Sequence, residues 1–185
     1  MDRLTPASTV LLVVDVQERL APAMPAARLE SLVRSAGILL DAALPLGVRV
    51  LASEQYPKGL GHTLAPIAEK LKALGVSPMA KVTFDACGDA TIARALAAMA
   101  PRAVVLVGME THVCVFQTAR ELVRRGYEVH VPVDAVASRS EENRAAGIAL
   151  CERAGAVPTT TETVVFDWLE RAGTEAFKAV SKLVK

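Results

Sequence analysis

Residues 9–15, Thr-Val-Leu-Leu-Val-Val-Asp, form a nearly continuous apolar run that ends on a carboxylate. Residues 103–108, Ala-Val-Val-Leu-Val-Gly, form a second run of the same kind. Strands that are buried on both faces of a parallel sheet have this unbroken apolar pattern, because neither face meets water. The two runs therefore predict the centre of a parallel sheet that is covered by helices on both sides.

Shorter apolar runs alternate with helical patterns along the rest of the chain. The other predicted strands are residues 48–53, 79–82, 127–131 and 156–157. Apolar spacing predicts helices over 29–43, 92–99, 118–122 and 141–153, and one or two helices over 162–185, broken near Gly173. We expect an α/β fold, namely a three-layer α/β/α sandwich with a doubly wound, mainly parallel sheet of five to six strands. One domain is expected over residues 1–185.

The composition is that of a globular protein, with 52% hydrophobic and 22% charged residues. The formal net charge is +1 and aromatic residues make up 4% of the chain, which disfavours a nucleic-acid or anionic-membrane partner. The first seven residues lack the apolar stretch of a signal peptide, and no apolar run is long enough to span a bilayer. The sequence therefore predicts a cytoplasmic protein that binds neither nucleic acid nor a membrane.

The chain has three cysteines, Cys87, Cys114 and Cys151. Their odd number and wide spacing disfavour a disulfide framework, and no Cys-x-x-Cys pair is present, so a reducing compartment is expected. A free cysteine is most often a small buried hydrophobe. We interpret Cys87 and Cys151 in this way, whereas the position of Cys114 suggests chemistry.

Three chemically different side chains are expected at one edge of the sheet. Asp15 ends the first run, Lys81 lies near the end of run 79–82, and Cys114 follows the run 103–108 where a helix begins. In doubly wound sheets, ligands bind beyond the carboxyl ends of the strands. A helix N-terminus and an ammonium are expected to stabilise a thiolate, and Asp15 to accept the thiol proton and return it. N–H groups of Cys114 and of residues 110–112 would bind the oxyanion, at about 3 kcal/mol for one good donor.

Five side chains are predicted to line a substrate pocket around the nucleophile: Gln17, Tyr56, Phe84, His112 and Phe116. Gln17 is expected to donate a hydrogen bond near it, and Arg139 to reinforce a loop. His112 is an alternative partner for Cys114, although residues two apart on a turn usually point apart. An apolar pocket wall is expected from three aromatic residues, for each of which core packing is an equal alternative: Tyr56, Phe84 and Phe116.

Several segments together resemble one known family over nearly the whole chain. Residues 13–17 (Val-Val-Asp-Val-Gln), 81–84 (Lys-Val-Thr-Phe) and 108–115 (Gly-Met-Glu-Thr-His-Val-Cys-Val) resemble the isochorismatase-like cysteine hydrolase superfamily. Residues 53–61 and 133–140 are most similar to the subgroup called isochorismatase domain-containing proteins. The resemblance implies an α/β/α fold, frequent oligomers and sites near subunit interfaces.

The resemblance also implies roles for individual residues. It implies a catalytic triad, which maps onto Asp15, Lys81 and Cys114. It further implies a non-proline cis peptide bond between Met109 and Glu110, in a turn whose N–H groups, with that of Cys114, face an oxyanion.

Departures from the family pattern narrow the expected chemistry. Nicotinamidases of this superfamily carry an Asp-x-His metal motif after the second strand, where this chain has Ser53-Glu-Gln-Tyr56. Glu54 and His62 supply an oxygen and a nitrogen donor, which is an incomplete ligand set. We therefore predict no catalytic metal, no cofactor and a substrate other than nicotinamide. Isochorismatases that cleave a vinyl ether lack the nucleophilic cysteine, so Cys114 argues against that reaction.

Two functions follow from these observations. The first is a hydrolase that acts on a small amide or related C–N substrate through a covalent thioester-type intermediate on Cys114. The second is a non-catalytic α/β scaffold of the same fold that binds a partner or metabolite. A thiol of depressed pKa at Cys114 would favour the enzyme. A nucleotide or flavin site is disfavoured because no glycine-rich loop follows the first strand. We expect a small-molecule substrate and a homo-oligomer, a dimer or higher.

Overall fold

The computed structural model describes residues 2–184 of the chain. Its strands are β1 Thr9–Val14, β2 Arg49–Gln55, β3 Met79–Lys81, β4 Ala103–Met109, β5 Glu128–Pro132, β6 Val136–Ala137 and β7 Val157–Thr159. Its α-helices are α1 Ala26–Leu46, α2 Pro57–Leu60, α3 Ala65–Ala73, α4 Ala90–Met99, α5 Phe116–Arg124, α6 Glu141–Arg153, α7 Thr161–Leu169 and α8 Glu175–Val180. A single π-helical turn, Thr111–Val115, leads into α5.

The strands form one parallel sheet in the order β3-β2-β1-β4-β5-β7, with β6 paired to the end of β4. The chain winds outward from β1 in one direction through β2 and β3, and in the other direction from β4 through β5 and β7. The switch point of this doubly wound sheet therefore lies between β1 and β4, which is where such folds bind ligands.

The predicted α/β class and parallel sheet are confirmed, and the continuous path of the sheet has six strands, the upper number predicted. Within the described residues a seventh strand lies off this path. The additional strand is β6, whose two residues pair with Gly108 and Met109. Two residues carry no periodicity, so the pattern could not indicate a strand there.

The sheet separates two apolar layers, as the unbroken run of β1 predicts. Leu11 and Val13 of β1 point to the layer beneath α1 and α7, while Val10, Leu12 and Val14 point to the layer beneath α4 and α5. All six residues of β1 are buried. This double burial holds the carboxyl end of β1 rigidly at the switch point.

The helix predictions are correct in outline. Helix α6 has the predicted bounds, and the C-terminal region forms α7 and α8 with Gly173 between them. The sequence analysis missed α3, which buries only Ile67 and Leu71 and so carries a short apolar pattern. No helix of residues 2–184 combines the length and the apolar character that a bilayer crossing requires.

Candidate active site

Asp15 directly follows β1 at the switch point and is fully buried. Its backbone has a φ of 54°, in the left-handed region that aspartate tolerates better than most residues. Ser53 Oγ donates a 2.7 Å hydrogen bond to Oδ1, and Lys81 Nζ donates one of 2.7 Å to Oδ2. Both carboxylate oxygens therefore have a fixed donor, and the carboxylate has one orientation.

Lys81 lies on the edge strand β3, yet its side chain is completely buried and reaches inward to Asp15. Its ammonium also donates to Gln55 Oε1 at 2.7 Å and to the carbonyl oxygens of Thr83 and Phe84 at 3.1 and 3.2 Å. A buried charge needs such partners, because its desolvation costs several kcal/mol. The Asp15–Lys81 pair is thus a compensated ion pair in the interior of the protein.

Cys114 lies in the π-helical turn and is 6% exposed. The pKa of its thiol is raised to about 12, mainly by burial. The charge and hydrogen bond of Asp15 also raise this pKa, and their effect is larger than the lowering caused by the charge of Lys81. The expected depression of this pKa is therefore wrong for the unliganded site, because burial dominates and the charge of Asp15 outweighs that of Lys81. The unliganded site holds a neutral thiol beside a carboxylate.

The other two cysteines differ from Cys114 in their surroundings, not in their pKa. Burial also raises the pKa of the Cys87 thiol and of the Cys151 thiol to about 12. Cys151 packs in the apolar layer beneath α5 and α6, and no charged group contributes to its shift. Cys87 has a carboxylate nearby, Asp85, whose charge also raises the pKa of its thiol. Neither a raised pKa nor a neighbouring carboxylate therefore singles out Cys114, whereas the cavity that it lines does.

The turn before Cys114 carries a buried carboxylate. The Met109–Glu110 peptide bond is cis, and the backbone N–H of Glu110 makes a hydrogen bond toward the Cys114 sulfur that lowers the pKa of the thiol slightly. Arg139 donates to the Glu110 carboxylate from Nη2 at 2.7 Å, from Nε at 3.1 Å and from its backbone N–H at 3.1 Å. Burial acts to raise the pKa of Glu110, but the hydrogen bonds from Arg139 outweigh it and the net pKa is lowered.

A cavity of about 320 Å³ opens onto Cys114. Its apolar lining comes from Leu20, Leu60, Phe84 and Val113, and its polar lining from Gln55, Glu110, Cys114 and Arg139. The volume suits a small molecule. Of the side chains predicted for a pocket wall, Phe84 lines this cavity.

Gln17 and His112 do not reach the cavity, contrary to the prediction. The Gln17 amide donates to the carbonyl oxygens of Gln55 and Gly61 and accepts from the Gln55 N–H, so it joins the end of β2 to the loop after it. His112 Nδ1 lies 3.1 Å from Ser138 Oγ. Both side chains are committed to structural hydrogen bonds, and Asp15 is the carboxylate that lies beside the thiol.

The other two predicted aromatic residues also lie outside the cavity. Tyr56 is exposed and lines a neighbouring groove with Val82. Phe116 is half-buried against the layer beneath α5, with the Arg120 guanidinium 5.0 Å from its ring centre. Tyr56 follows Gln55 and Phe116 lies two residues after Cys114, but side chains that are close in sequence point in different directions. This explains why neither aromatic residue lines the cavity.

The sequence analysis missed residues that the strand-end rule would have found. Gln55 is the last residue of β2 and holds Lys81, and Ser53, also near that end, holds Asp15. Two further wall residues, Leu60 and Val113, lie in the four-residue helix α2 and in the π-helical turn, which are too short to carry a periodic signal.

The position that would carry a metal motif is occupied by a local hydrogen-bond network. Glu54 accepts from the N–H and Oγ1 of Thr63 at 2.7 and 2.8 Å, and its Oε2 lies 3.2 Å from His62 Nδ1. Burial acts to raise the pKa of Glu54, and the bonds from Thr63 outweigh it, so the carboxylate is held ionised. Within residues 2–184, no three His, Cys, Asp or Glu side chains cluster as a metal site would require.

Fold and site together define a class: a doubly wound α/β/α domain with a carboxylate, an ammonium and a thiol at its switch point. The isochorismatase domain family model matches residues 9–163. The chain belongs to this isochorismatase-like hydrolase family.

Individual relatives cover the chain almost completely. Isochorismatase domain-containing protein 2A of Mus musculus is 33% identical over 100% of this chain and 86% of its own length. The secreted isochorismatase effector Isc1 of Phytophthora sojae is 36% identical over 100% of this chain and 88% of its own. The structure described as MAR1 ribonuclease from Caenorhabditis elegans has a TM-score of 0.92 and 37% identity, covering 99% of this chain and 92% of that one.

Proposed function

We propose that the protein is a cysteine-dependent hydrolase of a small amide or related C–N substrate. The observation that carries this proposal is the position of Cys114. Its thiol lines a cavity of about 320 Å³ and lies beside the buried Asp15–Lys81 pair. A nucleophile, a base and a cation are thus held together where a small substrate can enter.

The raised pKa of the thiol assigns a role to Asp15. A thiol with a pKa of about 12 is ionised in only about one molecule in 100,000 at pH 7, so it needs a base at the moment of attack. As the Cys114 sulfur bonds to the substrate carbonyl carbon, Asp15 accepts the thiol proton. Asp15 is then neutral, so the Lys81 ammonium is left as a positive charge beside the anionic tetrahedral intermediate.

The same groups complete the reaction. The negative charge on the carbonyl oxygen is stabilised by N–H groups of the turn that holds Cys114. Protonated Asp15 donates its proton to the departing amine as the C–N bond breaks, which leaves a thioester. Water then attacks the thioester with Asp15 as base, releasing a carboxylic acid and restoring the thiol. Nucleophile, acid and base all come from the chain, so the proposed mechanism uses neither a metal nor a cofactor.

The two alternatives fit the site less well. The pKa of Cys114 is raised like those of Cys87 and Cys151, so it does not supply the depressed value that would favour an enzyme. The argument against a binding scaffold is the buried ion pair beside the thiol, which is costly to bury and which a scaffold does not need. The Caenorhabditis neighbour is described as a ribonuclease, but RNA recognition relies on positive charge and stacked aromatic side chains. Here the charges that line the cavity are one carboxylate and one guanidinium, and Phe84 is its aromatic residue.

We further propose a homo-oligomer, a dimer or higher, in a reducing cytoplasmic environment. Three large apolar side chains at the rim of the site are exposed: Tyr56 at 54%, Val82 at 76% and Phe84 at 53%. A subunit contact would cover them. The three cysteines are free, which fits a reducing compartment. Light scattering measures the oligomeric state, and cell fractionation identifies the compartment.

The decisive experiment removes the nucleophile. Cys114→Ala is expected to abolish hydrolysis across a panel of small amides, and also the acyl adduct seen by mass spectrometry after rapid acid quench. Cys151→Ala is the matched control, because Cys151 is equally buried and has no neighbouring base. Hydrolysis that survives in Cys114→Ala would overturn the proposal, and RNA cleavage that disappears in that variant would favour the ribonuclease.

A further inference from the structure

Two of the residues that line the Cys114 cavity are charged, Glu110 and Arg139. The remaining polar wall residue, Gln55, has its amide committed elsewhere. Its Oε1 accepts from Lys81, and its Nε2 donates to the Val82 carbonyl oxygen at 2.9 Å. Polar recognition of a ligand is therefore left to the Glu110–Arg139 pair.

The geometry of this pair leaves one end of the guanidinium open. Nε and Nη2 of Arg139 face the Glu110 carboxylate, which is 6% exposed, whereas the arginine side chain is 63% exposed. Within residues 2–184, the hydrogen bonds and the ion pair of Arg139 use its backbone N–H, Nε and Nη2, and none uses Nη1. The buried carboxylate thus fixes one edge of the guanidinium and leaves Nη1 for a ligand.

The charges around the cavity cancel. Glu110 balances Arg139 on its wall, and Asp15 balances Lys81 behind the thiol. A carboxylate that enters the cavity loses much of its hydration and meets a guanidinium whose charge is already balanced by Glu110, so a hydrogen bond from Nη1 offsets only part of the desolvation. A neutral amide loses far less hydration and can still accept a hydrogen bond from Nη1.

We infer that the Glu110–Arg139 pair determines specificity by selecting uncharged ligands over anionic ones. The substrate class is then a neutral amide whose second polar group accepts from Arg139 and whose apolar part contacts Leu60 and Phe84. The identity of the ligand as a substrate rests on the proposed function. The selection by charge concerns access to Cys114 and does not require turnover.

Alkylation of Cys114 tests the inference without a known substrate. Iodoacetamide is neutral and iodoacetate is anionic, and both react alike: the sulfur bonds to the CH₂ carbon, iodide leaves, and the thiol proton passes to a base. The rate ratio of the two reagents at Cys114, followed by peptide mass spectrometry at pH 8.5, is divided by the ratio for a free thiol. This normalised ratio cancels differences in thiol reactivity, because both reagents attack the same sulfur.

We expect the normalised ratio of the wild type to favour iodoacetamide by about tenfold. Glu110→Gln frees the charge of Arg139 and should lower the ratio about tenfold, whereas Arg139→Gln should raise it. The double variant restores neutrality and should return the ratio toward the wild-type value. Arg139→Lys keeps the charge but not the paired geometry, and it should leave the ratio near that of the wild type.

A wild-type ratio equal to that of the free thiol, or two single variants that move it in the same direction, would overturn the inference. Circular dichroism and thermal unfolding of each variant show whether it is folded. The outcomes also separate the two proposals. If Cys114→Ala still hydrolyses amides while the ratio responds to charge, the proposed function fails and this inference holds. If hydrolysis requires Cys114 but the ratio does not respond, this inference fails alone.

Discussion

Replacing Asp15 by asparagine should make the Cys114 thiol more acidic and yet abolish catalysis. Asparagine tolerates the left-handed φ of 54° and preserves the side-chain volume, so the change removes mainly a charge. The charge and hydrogen bond of Asp15 raise the pKa of the thiol, and Lys81 lowers it. Without Asp15 the pKa should fall from about 12 by about 1–3, while turnover should fall about 10²–10⁴-fold through loss of the base.

The same substitution has a cost in stability. It leaves the completely buried ammonium of Lys81 with neutral acceptors only, and breaking a buried ion pair costs about 3–5 kcal/mol. Because Gln55 and two carbonyl oxygens still accept from Nζ, we expect about 3 kcal/mol, the low end of that range. Ser53→Ala is the matched control, since it removes one hydrogen bond from Asp15 at about 1–3 kcal/mol and keeps both charges.

Three measurements test this reasoning together. The midpoint of the pH profile of iodoacetamide alkylation at Cys114 reports the pKa of the thiol, amide hydrolysis reports catalysis, and urea unfolding reports stability. Asp15→Asn should lower the midpoint, whereas Ser53→Ala should lower stability with little change in the midpoint. A midpoint in Asp15→Asn that stays at the wild-type value or rises would refute the claim that Asp15 controls the thiol.

Three further predictions follow from the same structure. The pKa of each cysteine thiol is raised on folding from 9.0 to about 12, so the stability from these buried thiols is complete well below pH 9 and is lost as the pH rises toward 12. Urea unfolding should show little change near pH 8 and, above pH 9, a decline that approaches about 1.4 kcal/mol per pH unit per thiol, less steep in Cys151→Ala. In Gly147→Ala the new Cβ would lie 2.7 Å from backbone atoms of Thr111 and His112. We therefore expect thermal unfolding to show a loss of stability of about 1–3 kcal/mol, and alkylation of Cys114 to become slower. Unchanged stability and an unchanged alkylation rate would contradict this packing. His112→Ala should keep the hydrolysis rate within about threefold of the wild type, since that ring faces Ser138; a loss as large as that in Asp15→Asn would instead make His112 the base.

The sequence by itself was sufficient for the architecture and for placing the three candidate site residues at one edge of the sheet. Unbroken apolar runs ending at Asp15 and Gly108 predicted the central strands, because a strand that is buried on both faces has apolar residues at nearly every position. The strand-end rule then brought Asp15, Lys81 and Cys114 to one edge, where the structure joins the first two in an ion pair. These predictions depend on periodicity and chain order, which a sequence records directly.

Only the tertiary structure decided which neighbours face the thiol and in which protonation state it rests. Gln17 and His112 lie close to the site in sequence but are committed to backbone and hydroxyl partners, while Arg139 reaches the cavity from a distant loop. The pKa of Cys114 depends on the balance between burial, Asp15 and Lys81, and that balance is set by distances between segments far apart in the chain. Side-chain direction and desolvation are properties of the packed interior, so no local pattern in the sequence encodes them.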